Sequence, residues 1–408
     1  MNKLSAVSDA SAPPIRVLLF LTSLHPTQGG IASANRNVVR ALFEMGPEVA
    51  TGVLAYHGAT PELPADYLNK RQFSFAVGCE SSKLRLVSQY IRLSLSWRPA
   101  LIFVDHLHLA VIPYLFRWIV RVPFVVTCHG IEFDHAVTKL RRVAFLRARS
   151  RLTNSNFTAD RLRRMFPGVQ IDACELALDD LGIPEDAAEN VDSLIDAFGL
   201  SQPLGQRFVL IVSRLASKER YKGHDQLIAI MPSIIDKIPD AQLVIVGAGD
   251  DAERLQALAR ESGAGKAVLF TGFAPPELLA ALYARCRLFA MPSRGEGFGL
   301  VYLEAMRFAK PCVASTVDAG REVVADGETG LLVDPDNLEE LRAAVERLLR
   351  DDALAARLGK TGLARLEGRY RFRHYRARLQ EKLAEVVPAF AKRCPSERKD
   401  NILVSAGR

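Results

Sequence analysis

None of the six cysteines (Cys79, Cys128, Cys174, Cys286, Cys312, Cys394) stands in a CxxC pair, and their spacing is irregular. That argues against a zinc ribbon or a disulfide framework and points to a reducing compartment. Long apolar runs are also missing. The longest, around Leu107 to Val120, is interrupted by His108, Pro113 and Arg117, too short and too broken to cross a bilayer. The first residues, MNKLSAVSDASAPP, are polar and Pro-ended, so no signal-peptide core is expected there. No repeat of about 20–50 residues recurs, which excludes a solenoid. A cytoplasmic chain is expected, at most peripheral to the cytoplasmic face of a membrane.

What is present fits a two-domain α/β protein. The chain has 408 residues, 49% hydrophobic and 24% charged, enough for two cores of roughly 150–200 residues each. Its net charge of +7 is unevenly placed: residues 1–180 hold 21 Lys and Arg against 14 Asp and Glu, and the remainder holds 32 of each. The first half therefore suits an anionic partner, such as a phosphate-bearing substrate or an acidic membrane surface. The alternative is a solubilising surface. No nucleic-acid partner is expected.

Short apolar runs alternate with helical patterns. Ile15 to Leu21, Val49 to Ala55, Leu101 to Val104 and Pro123 to Thr127 read as buried parallel strands. A loop with Gly29 and Gly30 precedes the first helix, and basic helical stretches follow around Lys139 to Ser150 and Thr158 to Met165. Residues 181–206 lack Lys and Arg and read as a linker with a short helix inside. The rhythm then restarts, with strands at Phe208–Val212, Leu243–Val246, Val268–Thr271, Leu288–Met291, Pro311–Ala314 and Leu331–Val333. The expected organisation is a flexible N-terminus (1–14), a Rossmann-like domain (15–180), the linker (181–206) and a second Rossmann-like domain (207–368). A C-terminal helix (369–390) crossing back to the first domain and a flexible tail (391–408) complete it. In doubly wound sheets, ligands bind beyond the carboxyl ends of the strands.

Two constellations carry chemistry. Glu296 and Glu304 stand eight positions apart in SRGEGFGLVYLEAMRFA. Gly297 and Gly299 turn the chain between them, placing Glu296 on a loop and Glu304 one to two turns into a helix. The N–H groups at the start of that helix suit a phosphate or a ring of hydroxyls. Glu304 sits in an apolar pattern, where a carboxylate needs a hydroxyl or amide partner. The second constellation is Arg214 directly after a strand, followed by Lys222-Gly223-His224. Two cations in one strand–helix loop can neutralise a diphosphate. Lys218 and Arg220 lie in the same loop, so a merely solvated basic loop is the plain alternative.

Taken together, SRLASKERYKGHDQLI, VGAGDD, TGF, EGFGLVYLE and AGREVVADGETGLLVDP resemble the retaining, nucleotide-sugar-dependent glycosyltransferases of family 4, with the GT-B fold. The first half matches through Gly29-Gly30, Cys128-His129-Gly130 and Asn154-Ser155. The resemblance implies two doubly wound parallel sheets facing across a cleft. It implies transfer of a hexose from a GDP-mannose or UDP-glucose type donor to a glycan or lipid-linked acceptor. Neither a metal nor an organic cofactor is implied. Arg214 and Lys222 would bind the donor diphosphate, Glu304 the ribose hydroxyls and Glu296 the transferred sugar. The N–H groups of Phe298, Gly299 and Leu300, beside Gly297, would reach sugar or phosphate. Gly29 and Gly30 would let the first loop approach the diphosphate, and His129 would face the sugar from the other domain. The eight-position Arg–Lys spacing leaves Lys218 as an alternative phosphate ligand; Lys222 is favoured because Gly223 follows it. Ala319-Gly320 stands where the family has paired glycines. A related epimerase or phosphorylase is the alternative on the same fold.

Three further patterns have plainer readings. Gly247-x-Gly249-x-x-Ala252 fits a dinucleotide fingerprint, but the next strand ends without the acid that motif requires. Asp334-Pro335-Asp336 reads as a turn and N-cap, and His106-x-His108 lacks a third metal ligand. The arginines of the basic helices (Arg141, Arg142, Arg147, Arg149, Arg151, Arg161, Arg163, Arg164) read either as a solvated face or as a docking surface for anionic lipid or a lipid-diphosphate acceptor.

Overall fold

Ile15–Leu21 (β1) is apolar at nearly every position, and the fold buries it on both faces. Val17, Leu19 and Leu21 pack towards one side and Leu18 and Phe20 towards the other, the pattern of a central parallel strand. The structure is a computed structural model that describes residues 13–24, 29–58, 72–133, 136–178, 183–184 and 191–393. The expected flexible N-terminus and tail lie almost wholly outside these, as does Cys394.

The first sheet contains β1, β2 (Val49–Ala55), β3 (Phe73–Gly78), β4 (Leu101–Val104), β5 (Phe124–Cys128), β6 (Ser150–Thr153) and β7 (Asp172–Ala173). Their order is β3-β2-β1-β4-β5-β6-β7, all parallel. After a short hairpin of β8 (Ser193–Ile195) and β9 (Ser201–Pro203) comes the second sheet. It contains β10 (Arg207–Val212), β11 (Ala241–Val246), β12 (Val268–Gly272), β13 (Leu288–Ala290), β14 (Cys312–Ser315) and β15 (Gly330–Val333), in the order β12-β11-β10-β13-β14-β15. In each sheet the winding reverses once, between β1 and β4 and between β10 and β13. Those reversals open the crevices where ligands bind in such folds.

Several local expectations are corrected. The helix read as running to Ser150 ends at Arg147, and Ser150–Thr153 is a strand. The glycine pair does not sit on a loop: Gly29 and Gly30 are the first residues of the helix Gly29–Glu44. The described part of the linker holds the β8–β9 hairpin in place of a short helix. Its turn is fixed by Asp196, which accepts from the N–H groups of Phe198 and Leu200 at 2.8 and 2.9 Å and from Gln202 at 2.8 Å. The half-exposed edge strand β3 and the helices Lys83–Trp97 and Asp352–Arg365 were not read from sequence.

The C-terminal segment joins the two sheets. The helix Phe372–Ala384 lies against Gly29–Glu44 of the first sheet. The Arg40 guanidinium covers the Phe372 ring at 3.8 Å, Arg376 pairs with Glu44 at 3.2 Å, and Arg378 donates to the Glu175 carbonyl at 3.0 Å. The five described cysteines are buried and free.

Candidate active site

The loop after β10 carries Arg214 and then a turn, Ser217–Lys222, closed by Gly223 in the left-handed region. Neighbouring acids hold this loop. Asp250 accepts from the Ser217 N–H and hydroxyl at 2.8 and 2.6 Å, and Asp251 accepts from Arg220 at 3.0 Å. Arg254 bridges Asp251 to Asp225. The glycine fingerprint finds its explanation here. A Cβ on Gly247 would stand 1.8 Å from the Ser213 carbonyl oxygen, and one on Gly249 would stand 2.1 Å from that of Leu215. The two glycines let the Arg214 loop pack against the end of β11.

Of the two candidate lysines, Lys222 reaches inward and Lys218 is exposed. The Lys222 ammonium lies 2.5 Å from a Glu296 carboxylate oxygen. Burial pulls the ammonium down, but Glu296 and Tyr221 push it up further, so its pKa is raised on balance. The Arg214 guanidinium pairs with Glu219 and also lies 3.9 Å from the Cβ position of Gly29. A Cβ on Gly30 would lie equally far from Leu300. The predicted glycine pair of the first sheet thus faces Arg214 and Leu300 of the second.

The stretch Glu296 to Leu300 follows β13. Its conformation is set by Asp318, which the sequence reading did not single out. The Asp318 carboxylate accepts from the Ser293 hydroxyl, and from the N–H groups of Glu296 and Gly320 at 2.9 Å each. Burial pushes this carboxyl up to about 6. The only signal in the sequence was an acid just past an apolar strand. Gly299, at a φ of +95°, starts the helix Leu300–Arg307. Phe298 turns into the core and meets Tyr370 edge-on at 5.9 Å, so its backbone is what can face a ligand. Glu304 lies in the second turn of the helix and accepts from the buried Tyr283 hydroxyl at 2.7 Å. Tyr283, also missed, is the partner that the apolar surroundings of Glu304 required.

From the first sheet, His129 at the end of β5 is buried, and its Nε2 lies 2.9 Å from the Asp105 carbonyl oxygen. The His129 N–H donates to Glu132. The side chain of Asp105 accepts from Thr22 and Asn35, tying the ends of β1 and β4 to the helix Gly29–Glu44. The two sheets meet at Gly297, where a Cβ would stand 2.4 Å from the His129 carbonyl oxygen and 3.2 Å from the Asn154 amide nitrogen.

His106 caps the helix Leu107–Leu115 by accepting from the His108 N–H at 3.2 Å. Burial, then the charges of His129, His108 and Arg141, push its pKa down to about 3. Among the described residues no three His, Cys, Asp or Glu are grouped to hold a metal. Asn337 caps the helix Leu338–Arg350, and Asp336, in the turn just before it, pairs with Arg294. The basic helices are less available than their sequence suggests. Arg151 donates to the carbonyls of Phe145, Leu146 and Ala148, Arg163 to that of Ile171 and Arg161 to that of Phe133. No helix among the described residues is long and apolar enough to cross a membrane.

Two family models match the chain. That described as Glycosyl transferases group 1 covers residues 192–365, and Glycosyltransferase Family 4 covers residues 28–173. Over 189 residues the chain is 38% identical to a GDP-mannose-dependent alpha-(1-6)-phosphatidylinositol monomannoside mannosyltransferase of Mycolicibacterium smegmatis, covering 44% of this chain and 49% of that protein. The chain thus spans about half the length of that relative. It is 33% identical over 264 residues to a phosphatidyl-myo-inositol mannosyltransferase of Mycobacterium leprae, covering 64% of this chain and 67% of that protein. Among solved structures, sucrose-phosphate synthase from Thermosynechococcus elongatus superposes with a TM-score of 0.73 at 20% identity, over 92% of this chain and all of that one. At that identity the likeness is one of fold.

Proposed function

Since the chain belongs to the group 1 glycosyltransferases and has their GT-B fold, we propose that it moves a hexose from a nucleotide-diphosphate sugar to an acceptor hydroxyl with retention of configuration. The observation that carries this reading is the convergence on one cleft of Lys222 with Glu296, Arg214 facing Gly29, and Glu304 on the helix that Glu296 precedes. Arg214 and Lys222 would meet the diphosphate, Glu304 the ribose and Glu296 the hexose. His129 and Gly297 meet where the sugar would lie.

The chemistry follows from charge. When the bond from the anomeric carbon to the phosphate oxygen breaks, its electron pair stays on the phosphate. Two preorganised cations and the N–H groups at Phe298, Gly299 and Leu300 stabilise that charge. The acceptor oxygen attacks the same face of the sugar, and its proton passes to the departing phosphate. Among the described residues no carboxylate is placed as a covalent nucleophile, which favours front-face attack. With two cations available for the leaving group, the reading needs no metal.

The donor is of the GDP-mannose or UDP-glucose type, and the mannosyltransferase relatives favour the first. A glycan or lipid-linked saccharide is the proposed acceptor, which would bring the chain to a membrane face. The test is a donor screen that reads released GDP or UDP with and without acceptor. Release that depends on acceptor supports transfer. Turnover of the donor alone to an isomer, or turnover that depends on inorganic phosphate, would replace it with an epimerase or a phosphorylase.

A further inference from the structure

Glu322 belongs to the short helix Gly320–Val323 of the second sheet's domain, yet its carboxylate reaches the first. One oxygen accepts from the Asn156 N–H at 2.9 Å and the other from the Phe157 N–H. These are the first two N–H groups of the helix Asn156–Met165 and have no partner within it. Ser155 caps the next available one, accepting from the Thr158 N–H at 3.1 Å. An acid from the other domain thus completes the cap of this helix, at the end where its dipole favours negative charge. Beside it the Arg321 guanidinium lies 5.6 Å from the Phe157 ring, and the Asn156 side chain donates to Glu175, which is clamped by Arg369.

The other end of the same short segment holds the proposed sugar loop. The Glu322 N–H donates to the Ala319 carbonyl and the Ala319 N–H to the Glu296 carbonyl, at 3.0 and 3.1 Å. Asp318 accepts from the Glu296 N–H. The Glu322 carbonyl is fixed by Arg365 and Tyr370 at 2.8 and 3.1 Å. Residues 318–322 are therefore a stiff strut. One end sets Glu296 and the other grips the helix that follows Asn154 and Ser155. Gly297 touches Asn154 and His129 in between.

We propose that Glu322 is a positioning residue that registers the sugar-binding loop of the second domain against His129 of the first, by gripping the N-terminus of the helix Asn156–Met165. The inference rests on the transfer reading for its kinetic consequence and on the structure alone for its geometric one. Loss of the grip lets the cleft stand open more often. Water then competes with the acceptor for the donor, because closure excludes it.

The experiment uses the full chain with Glu322→Ala and Glu322→Gln. Transfer turnover should fall at least tenfold in Glu322→Ala. The ratio of donor hydrolysis to transfer should rise at least fivefold, while the donor KM moves less than threefold. Glu322→Gln keeps one acceptor oxygen and should fall between. Independently, spin labels at Lys83→Cys and Glu253→Cys, one on each domain, should give a broader distance distribution in Glu322→Ala than in the parent. Unchanged hydrolysis-to-transfer ratio overturns the kinetic role, and an unchanged distance distribution overturns the grip itself, even if activity is lost. A parent protein that turns over no nucleotide sugar would count against the transfer reading, and the label distances would still decide the grip.

Discussion

Lys222 and Glu296 form an ion pair 2.5 Å apart, with their side chains only 15% and 17% exposed. One comes from the loop after β10 and the other from the loop after β13, the two strands between which the second sheet reverses its winding. Removing one partner leaves a largely desolvated charge on the other. Lys222→Ala should lower kcat/KM for the donor by about 10²–10³, or about 3–4 kcal/mol, measured by released nucleotide; Arg214→Ala should do likewise. Near-normal activity in both variants would sink the assignment. The net upward shift of Lys222 from 10.5 sets a sign. Its charge, and any stability it confers, is complete below that value and lost only as pH rises through the higher folded value. Donor binding should accordingly hold its Lys222 contribution from pH 7 to 9.

Asp318 predicts an acid-side effect on folding. Its carboxyl is raised from 3.8 to about 6, chiefly by burial. Between those values the native state holds a proton that the unfolded chain has released. Stability from this group is therefore greatest below the unfolded value and declines as pH rises towards 6, by up to about 3 kcal/mol. Urea unfolding from pH 4 to 7 should show this component in the parent and not in Asp318→Asn. The same variant should raise the donor KM about tenfold, because an amide keeps one acceptor oxygen where the Asp318 carboxylate offers two to the Ser293, Glu296 and Gly320 donors.

Tyr283→Phe removes one hydroxyl from the partner of Glu304. The hydrogen bond ends on a carboxylate, so about 1.5 kcal/mol is at stake. The expected result is a donor KM about tenfold higher with kcat nearly unchanged, since the ribose end is remote from the bond that breaks. A loss confined to kcat would contradict the role assigned to Glu304.

Gly297→Ala places a methyl group 2.4 Å from the His129 carbonyl oxygen and 3.2 Å from the Asn154 amide. The two domains must part locally to admit it. Transfer should drop at least tenfold, while the midpoint of thermal unfolding should move by only a few degrees, because the strain is confined to one contact. Unaltered turnover would show that this contact does not matter to the reaction.

Much of the fold was legible in sequence for one reason. Central parallel strands are buried on both faces and so read as unbroken apolar runs, as in β1 (IRVLLFL) and β10 (RFVLIV). The edge strand β3 is half-exposed and carries no such run. The linker hairpin depends on the side chain of Asp196 accepting three hydrogen bonds, which no periodicity reveals. In the candidate site, Arg214, Lys222 and Glu296 stood out as charges in the loops after strands, and Glu304 as an acid within an apolar helical pattern. Asp318, Tyr283 and Glu322 did not, since their partners lie at separations of up to 166 residues.

The sequence by itself determined the class of the molecule: two α/β cores, the end of each strand at which chemistry collects, and the family to which the chain belongs. Hydrophobic burial acts over short stretches, so it leaves its mark in local order. Tertiary structure alone decided which lysine meets Glu296, why Gly247 and Gly249 are glycines, which arginines of the basic helices are engaged by their own backbone, and that an acid of one domain caps a helix of the other. Those are contacts between distant positions. Their hydrogen bonds depend on distance and direction within a few tenths of an ångström, and such precision exists only once both sheets are assembled.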